Sequence, residues 1–282
     1  MLTIIHSLAV ASLFLTPLYQ ASAILSRTLS SEQILLGDTH SSVPFTFRDA
    51  TYEDIDDATT IIIDAFSPSP QWHYHSPSRE KYLDYEWYCM REAIEKQWKE
   101  VDWTYAWGRV VSVPVENSKH GRDERVVALA LWDRLIQDSA SVVASGEDGA
   151  LNVNHGFDLM ALLNKTFDCS KHSDLNMTRG LDFSYQFSFA KYKYIDNAYD
   201  DQLYLSLLAT HPDWDGNGLG AKNLHWGMEL AERWKVPVTL IATPAGYPLY
   251  RSEGFEDVKN ITIKMLDGLG ELWFEVQRWN ST

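Results

Sequence analysis

The sequence predicts an α/β (α+β) chain built around one sheet, and three observations carry that prediction. Between Leu203 and Phe255 an apolar run, a glycine-rich turn, an amphipathic helical pattern and a second apolar run follow one another, the order of a strand–helix–strand unit. Upstream, an alternating strand pattern is followed by two helical patterns and then by two strand-like runs joined by a polar turn. The chain has 282 residues, 45% apolar and 13% aromatic, enough to bury one large core or two small ones.

Taken in order, Phe45-Thr46-Phe47-Arg48 alternates as a strand. Thr51-Tyr52-Glu53-Asp54 reads as an N-cap with an acidic first turn, which opens a helix over Ile55 to Phe66. Ser67 to Ser78 reads as a Pro/Ser loop. Tyr82 to Trp98 reads as a helix with apolar positions at Leu83, Trp87, Met90 and Ile94. Thr104 to Val115 and Arg125 to Trp132 read as a hairpin around the polar turn Glu116 to Glu124. Ile136 to Gly149 is a small-residue loop, Phe157 to Phe167 fits a helix, and Cys169 to Gly180 is polar. Phe183, Tyr185, Phe187 and Phe189 alternate as a strand would, but the continuation through Tyr192 and Tyr194 fits a helix as well. The last strands are Asn260 to Leu266 and Glu271 to Trp279, around Asp267-Gly268-Leu269-Gly270.

The module from Leu203 to Phe255 holds the functional signal. The run LYLSLLAT ends at Thr210, a polar turn His211-Pro212-Asp213-Trp214-Asp215 follows, and then comes Gly216-Asn217-Gly218-Leu219-Gly220-Ala221. Glycines at a helix start let the backbone approach a ligand, and the first-turn N–H groups lack helical partners, so the pattern suits a phosphate. On the helix that follows, Gly220, Leu224, Gly227, Ala231 and Trp234 form one face, and Lys222, Asn223, Glu229 and Glu232 lie elsewhere. A dinucleotide fingerprint is formally present as Gly216-x-Gly218-x-x-Ala221. However, a five-residue segment with a proline separates it from the strand, and no acid ends the next strand, VTLIAT. No Gly-Lys-Ser/Thr follows, which rules out a P-loop, and a glycine-rich helix start that binds nothing is the bland alternative.

The loop Asn217-Gly218-Leu219-Gly220-Ala221, the strand after the helix, and Tyr250 placed four residues before the pair Gly254-Phe255 resemble the acyl-CoA-binding core of the GNAT superfamily of N-acyltransferases. About 55 residues match in detail, and a looser match covers Phe45 to Trp279. The resemblance implies a mixed, mostly antiparallel central sheet flanked by helices and forming a single catalytic domain over 44–282, with an insertion at about 136–201. It favours a helix at Phe183–Tyr194, and the insertion is placed to cover an acceptor pocket or to pack its own aromatics. It also implies acetyl-CoA as co-substrate, bound by Gly216, Asn217, Gly218, Leu219, Gly220 and Ala221, with Leu208, Ala209 and Thr210 offering backbone donors. Tyr250 would protonate the departing sulfur, with Tyr247 a less well-spaced alternative. The acceptor would be a small amine or a protein amino group. Asp215 stands where the family carries Gln or Arg, with Asp213 just before it, so two carboxylates flank the expected pyrophosphate. That departure implies weak CoA binding, or a catalytically degenerate CoA-binding or interaction module of the same fold.

No general base declares itself. Asp133 and His211 are conceivable by position, and each has a structural or solvated reading. Cys169-x-x-His172 and His73-x-His75 fall short of the ligand set that zinc sites show, so no metal is expected. A formal charge of −15 disfavours nucleic acid and suits a cationic acceptor. Ile4 to Leu15 is mostly apolar and precedes the small-residue site Ala21-Ser22-Ala23, so 1–23 reads as a signal peptide that lacks its usual basic residue, with 24–43 a flexible arm. If the leader works, the protein enters the secretory pathway or is secreted; otherwise it is cytoplasmic. The leader's apolar core is too short and interrupted for a stable membrane span. The two cysteines, Cys89 and Cys169, would pair if the chain is exported, while Cys89 alone reads as a small buried side chain. The sequence leaves the oligomeric state open.

Overall fold

A computed structural model describes residues 32–34, 44–115, 123–136 and 169–281. Within them one eight-stranded sheet runs in the order β1-β2-β3-β4-β5-β6-β8-β7. The strands are β1 (Glu32–Ile34), β2 (Phe45–Asp49), β3 (Ala106–Pro114), β4 (Glu124–Ile136), β5 (Asp201–Thr210), β6 (Val238–Ala242), β7 (Glu256–Lys264) and β8 (Glu271–Trp279). Neighbours pair antiparallel except β5 with β6. Of the stretch read as an arm, Glu32–Ile34 pairs with β2. The leader and the stretch Phe157 to Phe167 lie outside the described residues.

The helices are α1 (Ile55–Phe66), α2 (Pro70–His75), α3 (Leu83–Glu100), α4 (Met177–Lys191), α5 (Leu219–Trp234) and α6 (Tyr247–Ser252). The start of α1 follows from a capping box: the Thr51 N–H donates to the Asp54 carboxylate at 2.8 Å, and Arg48 holds the same carboxylate at 2.7 Å. The segment Ser67–Ser78, expected as loop, contains α2. Pro70 there begins a helix because it occupies the first helical position, where no N–H is needed, and the Ser69 hydroxyl accepts from the Trp72 N–H. Phe183–Phe189 is helical: Phe183 and Phe187, one turn apart, are buried, while Tyr185 and Phe189 face outward.

Each face of the sheet has its own helices. α5 and α6 cover one face, where Leu203, Leu205, Trp132, Leu224, Ala231 and Tyr250 share a core. The other face carries two separate clusters. One joins α1 and α3 to Leu207, Ala209 and Leu131, and the second joins α4 to Tyr204, Leu135 and strands β7 and β8. Asn223, expected off the buried face of α5, is fully buried, and both its amide atoms lack a hydrogen-bond partner among the described residues. The helix lies so close to the sheet that its inward face is wider than the apolar spacing indicated. Cys89 of α3 and Cys169 form a disulfide across 80 residues, with Cα atoms 5.6 Å apart, which corrects the reading of Cys89 as a lone apolar side chain.

Candidate active site

Among the described residues the sheet opens between β5 and β6. β5 and β6 pair only from Leu203 to Leu205 against Val238 to Leu240, yet β5 continues to Thr210. Beyond Leu205 the strand is paired, among the described residues, on its β4 side alone, with Ala128, Leu129 and Ala130 opposite Thr210, Ala209 and Leu208. Its far edge therefore presents backbone donors and acceptors to a gap. A bulge falls at the same point: Leu131 pairs with Leu207 and Trp132 with Leu205, which leaves Ser206 without a partner. Bulges re-aim side chains and bend strands, so the divergence has a local cause.

The glycine turn closes one end of this gap. Gly216 (φ 77°) and Gly218 (φ 72°) are left-handed, and among the described residues no atom lies within 4 Å of where a Cβ would stand on either. The first α5 hydrogen bond runs from the Lys222 N–H to the Gly218 carbonyl at 3.0 Å, so the amides of Leu219, Gly220 and Ala221 have no helical partner. Gly220 faces Leu249 of α6 and Thr210 and Leu208 of β5, at 3.4, 3.8 and 3.9 Å from its ideal Cβ position. The expected residues therefore converge, with two qualifications. Ala209 points into the α1 cluster and offers backbone only. The Asn217 amide donates to the Trp214 and Asp215 carbonyls at 2.9 and 3.3 Å, which shapes the turn. The Asp213 and Asp215 side chains are exposed beside it.

Tyr250 lies on α6, buried against Phe255 and Gly246, and its hydroxyl makes no hydrogen bond among the described residues. Burial pushes its phenol well above the usual tyrosine value, so it keeps its proton. Tyr247 is committed elsewhere, its hydroxyl donating to Asp257 at 2.9 Å. His211 is also committed: Nδ1 accepts from the Asp213 N–H at 3.2 Å and Nε2 lies 3.2 Å from the Asp64 carboxylate. It braces the turn before α5.

Asp133 is different. It lies on β4 between Leu131 and Leu135, on the face opposite α5, and protein encloses its carboxyl although part of the residue stays open to solvent. Burial raises this carboxyl to about 7, against the neighbouring Ser206 hydroxyl and Lys191, which favour the ionised form. Ser206 is the residue that sequence reasoning missed. Its only signal was a small hydroxyl interrupting the apolar run LYLSLLAT.

Among the described residues no group of three His, Cys, Asp or Glu is placed to hold a metal ion, and Cys169 is in the disulfide. No helix there is long and apolar enough to cross a membrane.

No family model matches the sequence, and no curated protein matches it. Solved structures do resemble the fold. A polyamine N-acetyltransferase from Drosophila melanogaster is 10% identical, with a TM-score of 0.48 over 84% of this chain and 99% of that one. An arylalkylamine N-acetyltransferase-like protein from mosquito is 10% identical, with a TM-score of 0.47 over 84% and 99%. A structure from Corynebacterium glutamicum described as a histone acetyltransferase and related acetyltransferase is 16% identical, with a TM-score of 0.43 over 84% and 96%. The fold itself is a mixed and mostly antiparallel sheet flanked by helices, in which the strand divergence, the glycine turn and the helix that carries Tyr250 follow one another.

Proposed function

We propose that this protein is an N-acetyltransferase that moves an acetyl group from acetyl-CoA to a primary amine by direct attack. The carrying observation is the convergence at one gap of the β5 edge, the amides of Leu219 to Ala221, both unpartnered among the described residues, and the buried Tyr250. The cradle fits the donor: left-handed Gly216 and Gly218 leave open space where side chains would otherwise stand. Acetyl-CoA, when bound, supplies an acetyl group activated as a thioester. The amides of Gly218 to Ala221 and the helix dipole hold its pyrophosphate. The β5 edge from Leu208 to Thr210 orients the pantetheine arm and offers donors to an oxyanion. Tyr250 keeps its proton at Oη and presents it to the leaving sulfur. The acidic surface suits a cationic acceptor, a small amine or a protein amino group.

A second reading is a CoA-binding or interaction module without transfer activity, which the exposed Asp213 and Asp215 beside the cradle favour. A thiol-release assay with agmatine, spermidine, tryptamine and a lysine peptide, together with acetyl-CoA calorimetry, separates the two. Binding with release supports the enzyme, binding without release supports the module, and no binding removes both. We also propose that the chain matures in the secretory pathway through its leader. The Cys89–Cys169 disulfide supports this, because such bridges persist in oxidising compartments.

A further inference from the structure

The two clusters on the α1–α4 face of the sheet do not merge, and the seam between them is polar. On β4 the residues facing that side are Leu131, Asp133 and Leu135; Leu131 packs with the α1–α3 cluster and Leu135 with the α4 cluster. On β5, Tyr204 belongs to the α4 cluster and Leu207 to the α1–α3 cluster, with the bulged Ser206 between them. Asp133 and Ser206 thus sit side by side in the seam, next to the point where β6 leaves β5. We propose that Asp133, supported by the Ser206 hydroxyl, takes the proton from the acceptor's ammonium group, and that this seam is where the acceptor reaches β5. The inference rests on the acetyl-transfer reading.

The step is a proton exchange. An N–H bond of the ammonium breaks and its electron pair stays on nitrogen; an O–H bond forms on the Asp133 carboxylate. The proton then leaves to water through the open side of Asp133. Ser206 suits both states of the carboxyl. Its Oγ donates to the Leu131 carbonyl at 3.0 Å, which leaves its lone pairs to accept from a protonated Asp133. A turn of the same hydroxyl lets it donate to the ionised form.

The surroundings set the strength of this base. From α4 and the turn after it come Lys191 and Asp196, which pair with each other; Lys191 also lies 4.8 Å from the centre of the Tyr204 ring. Lys191 favours the ionised carboxyl and Asp196 opposes it. Helices α1 and α3 give this side apolar Ile62, Ile63 and Met90. The adjacent Arg134 is held by Asp201 at 2.6 Å and stacks on Trp234 of α5. With a carboxyl near 7, proton transfer from an alkylammonium of pKa about 10.4 is unfavourable by about a thousandfold, against over a millionfold for an ordinary aspartate.

The test pairs titration of the free protein with kinetics. Carboxyl carbon NMR of wild type, labelled at aspartate, should show one group titrating near 7 that disappears in Asp133→Asn. The acid limb of kcat/KM for whichever panel amine reacts should fall at the same pH. Ser206→Ala should move both upward together, and Asp133→Asn should lower kcat/KM at least about 100-fold with acetyl-CoA affinity unchanged. A wild-type spectrum in which no aspartate carboxyl titrates near 7 overturns the proposal even if no variant folds. Full turnover in Asp133→Asn overturns it while leaving acetyl transfer standing. No thiol release by wild type removes the acetyl-transfer reading and this proposal with it.

Discussion

Gly227 of α5 sits directly on the indole of Trp132 of β4: a Cβ at Gly227 would come within 2.2 Å of the ring. Trp132 is fully buried and packed against Trp226, so it has nowhere to move. This contact sets the distance between α5 and the sheet, and so the height of the helix start above β5. Gly227→Ala is expected to destabilise the protein by about 3 kcal/mol through overpacking. Thermal melting should show a fall of roughly 6–12 °C.

Gly218→Ala separates a ligand effect from a folding effect. The residue is left-handed, so alanine costs about 1 kcal/mol of stability. Among the described residues no atom lies within 4 Å of the new methyl group, which leaves it facing the space a ligand would fill. Calorimetry is expected to show acetyl-CoA affinity reduced about tenfold, a loss of ~1.4 kcal/mol, while the melting temperature falls only a few degrees.

Tyr250→Phe removes a hydroxyl that has no hydrogen-bond partner among the described residues, so stability is expected to hold. Turnover should drop about 100-fold, with acetyl-CoA affinity nearly intact. Unchanged thiol release would take Tyr250 out of the reaction.

Asp133 and Asp174 make stability depend on pH in an unusual direction. Burial raises Asp133 to about 7 and Asp174 to about 6, the latter helped by Glu86. A carboxyl whose folded value lies above its unfolded one binds its proton more tightly in the native state. Its contribution is complete below the unfolded value near 4 and is lost as pH rises through the folded value. Stability should therefore decline between pH 4 and 8. Because Asp133 keeps an open side, solvent reduces its share to about 1–2 kcal/mol. Urea denaturation of Asp133→Asn should show a more stable protein at pH 8 and little change at pH 4.

The disulfide joins α3 to the turn before α4, which carries one wall of the seam. Cys89→Ser, or reduction with dithiothreitol, is expected to cost about 2–4 kcal/mol. Melting with and without reductant checks this, and an unchanged curve would show that the bridge adds nothing.

Much of this was legible in the sequence where local rules act alone. The α1 bounds match their reading because Thr51 and Asp54 cap the helix within four residues of chain, and the order of strand, glycine turn and helix from Leu203 onward is set by local spacing. Other features depend on contacts between distant residues. The alternation Phe183, Tyr185, Phe187, Phe189 could not separate strand from helix, since aromatics occupy both the inward and outward faces of α4. Ser67 to Ser78 read as a Pro/Ser loop because the cap at Ser69 shows only in the fold. The partner of Cys89 lies 80 residues away. The pairing of Asp133 with Ser206 depends on a bulge between β4 and β5, which no single-strand pattern reveals.

Amide NMR during an acetyl-CoA titration tests the central claim most directly. The account predicts large shifts at Leu208 to Thr210 and Gly216 to Ala221, with smaller ones along α6. Saturating acetyl-CoA that leaves these amides unmoved, or that shifts another region instead, would contradict it.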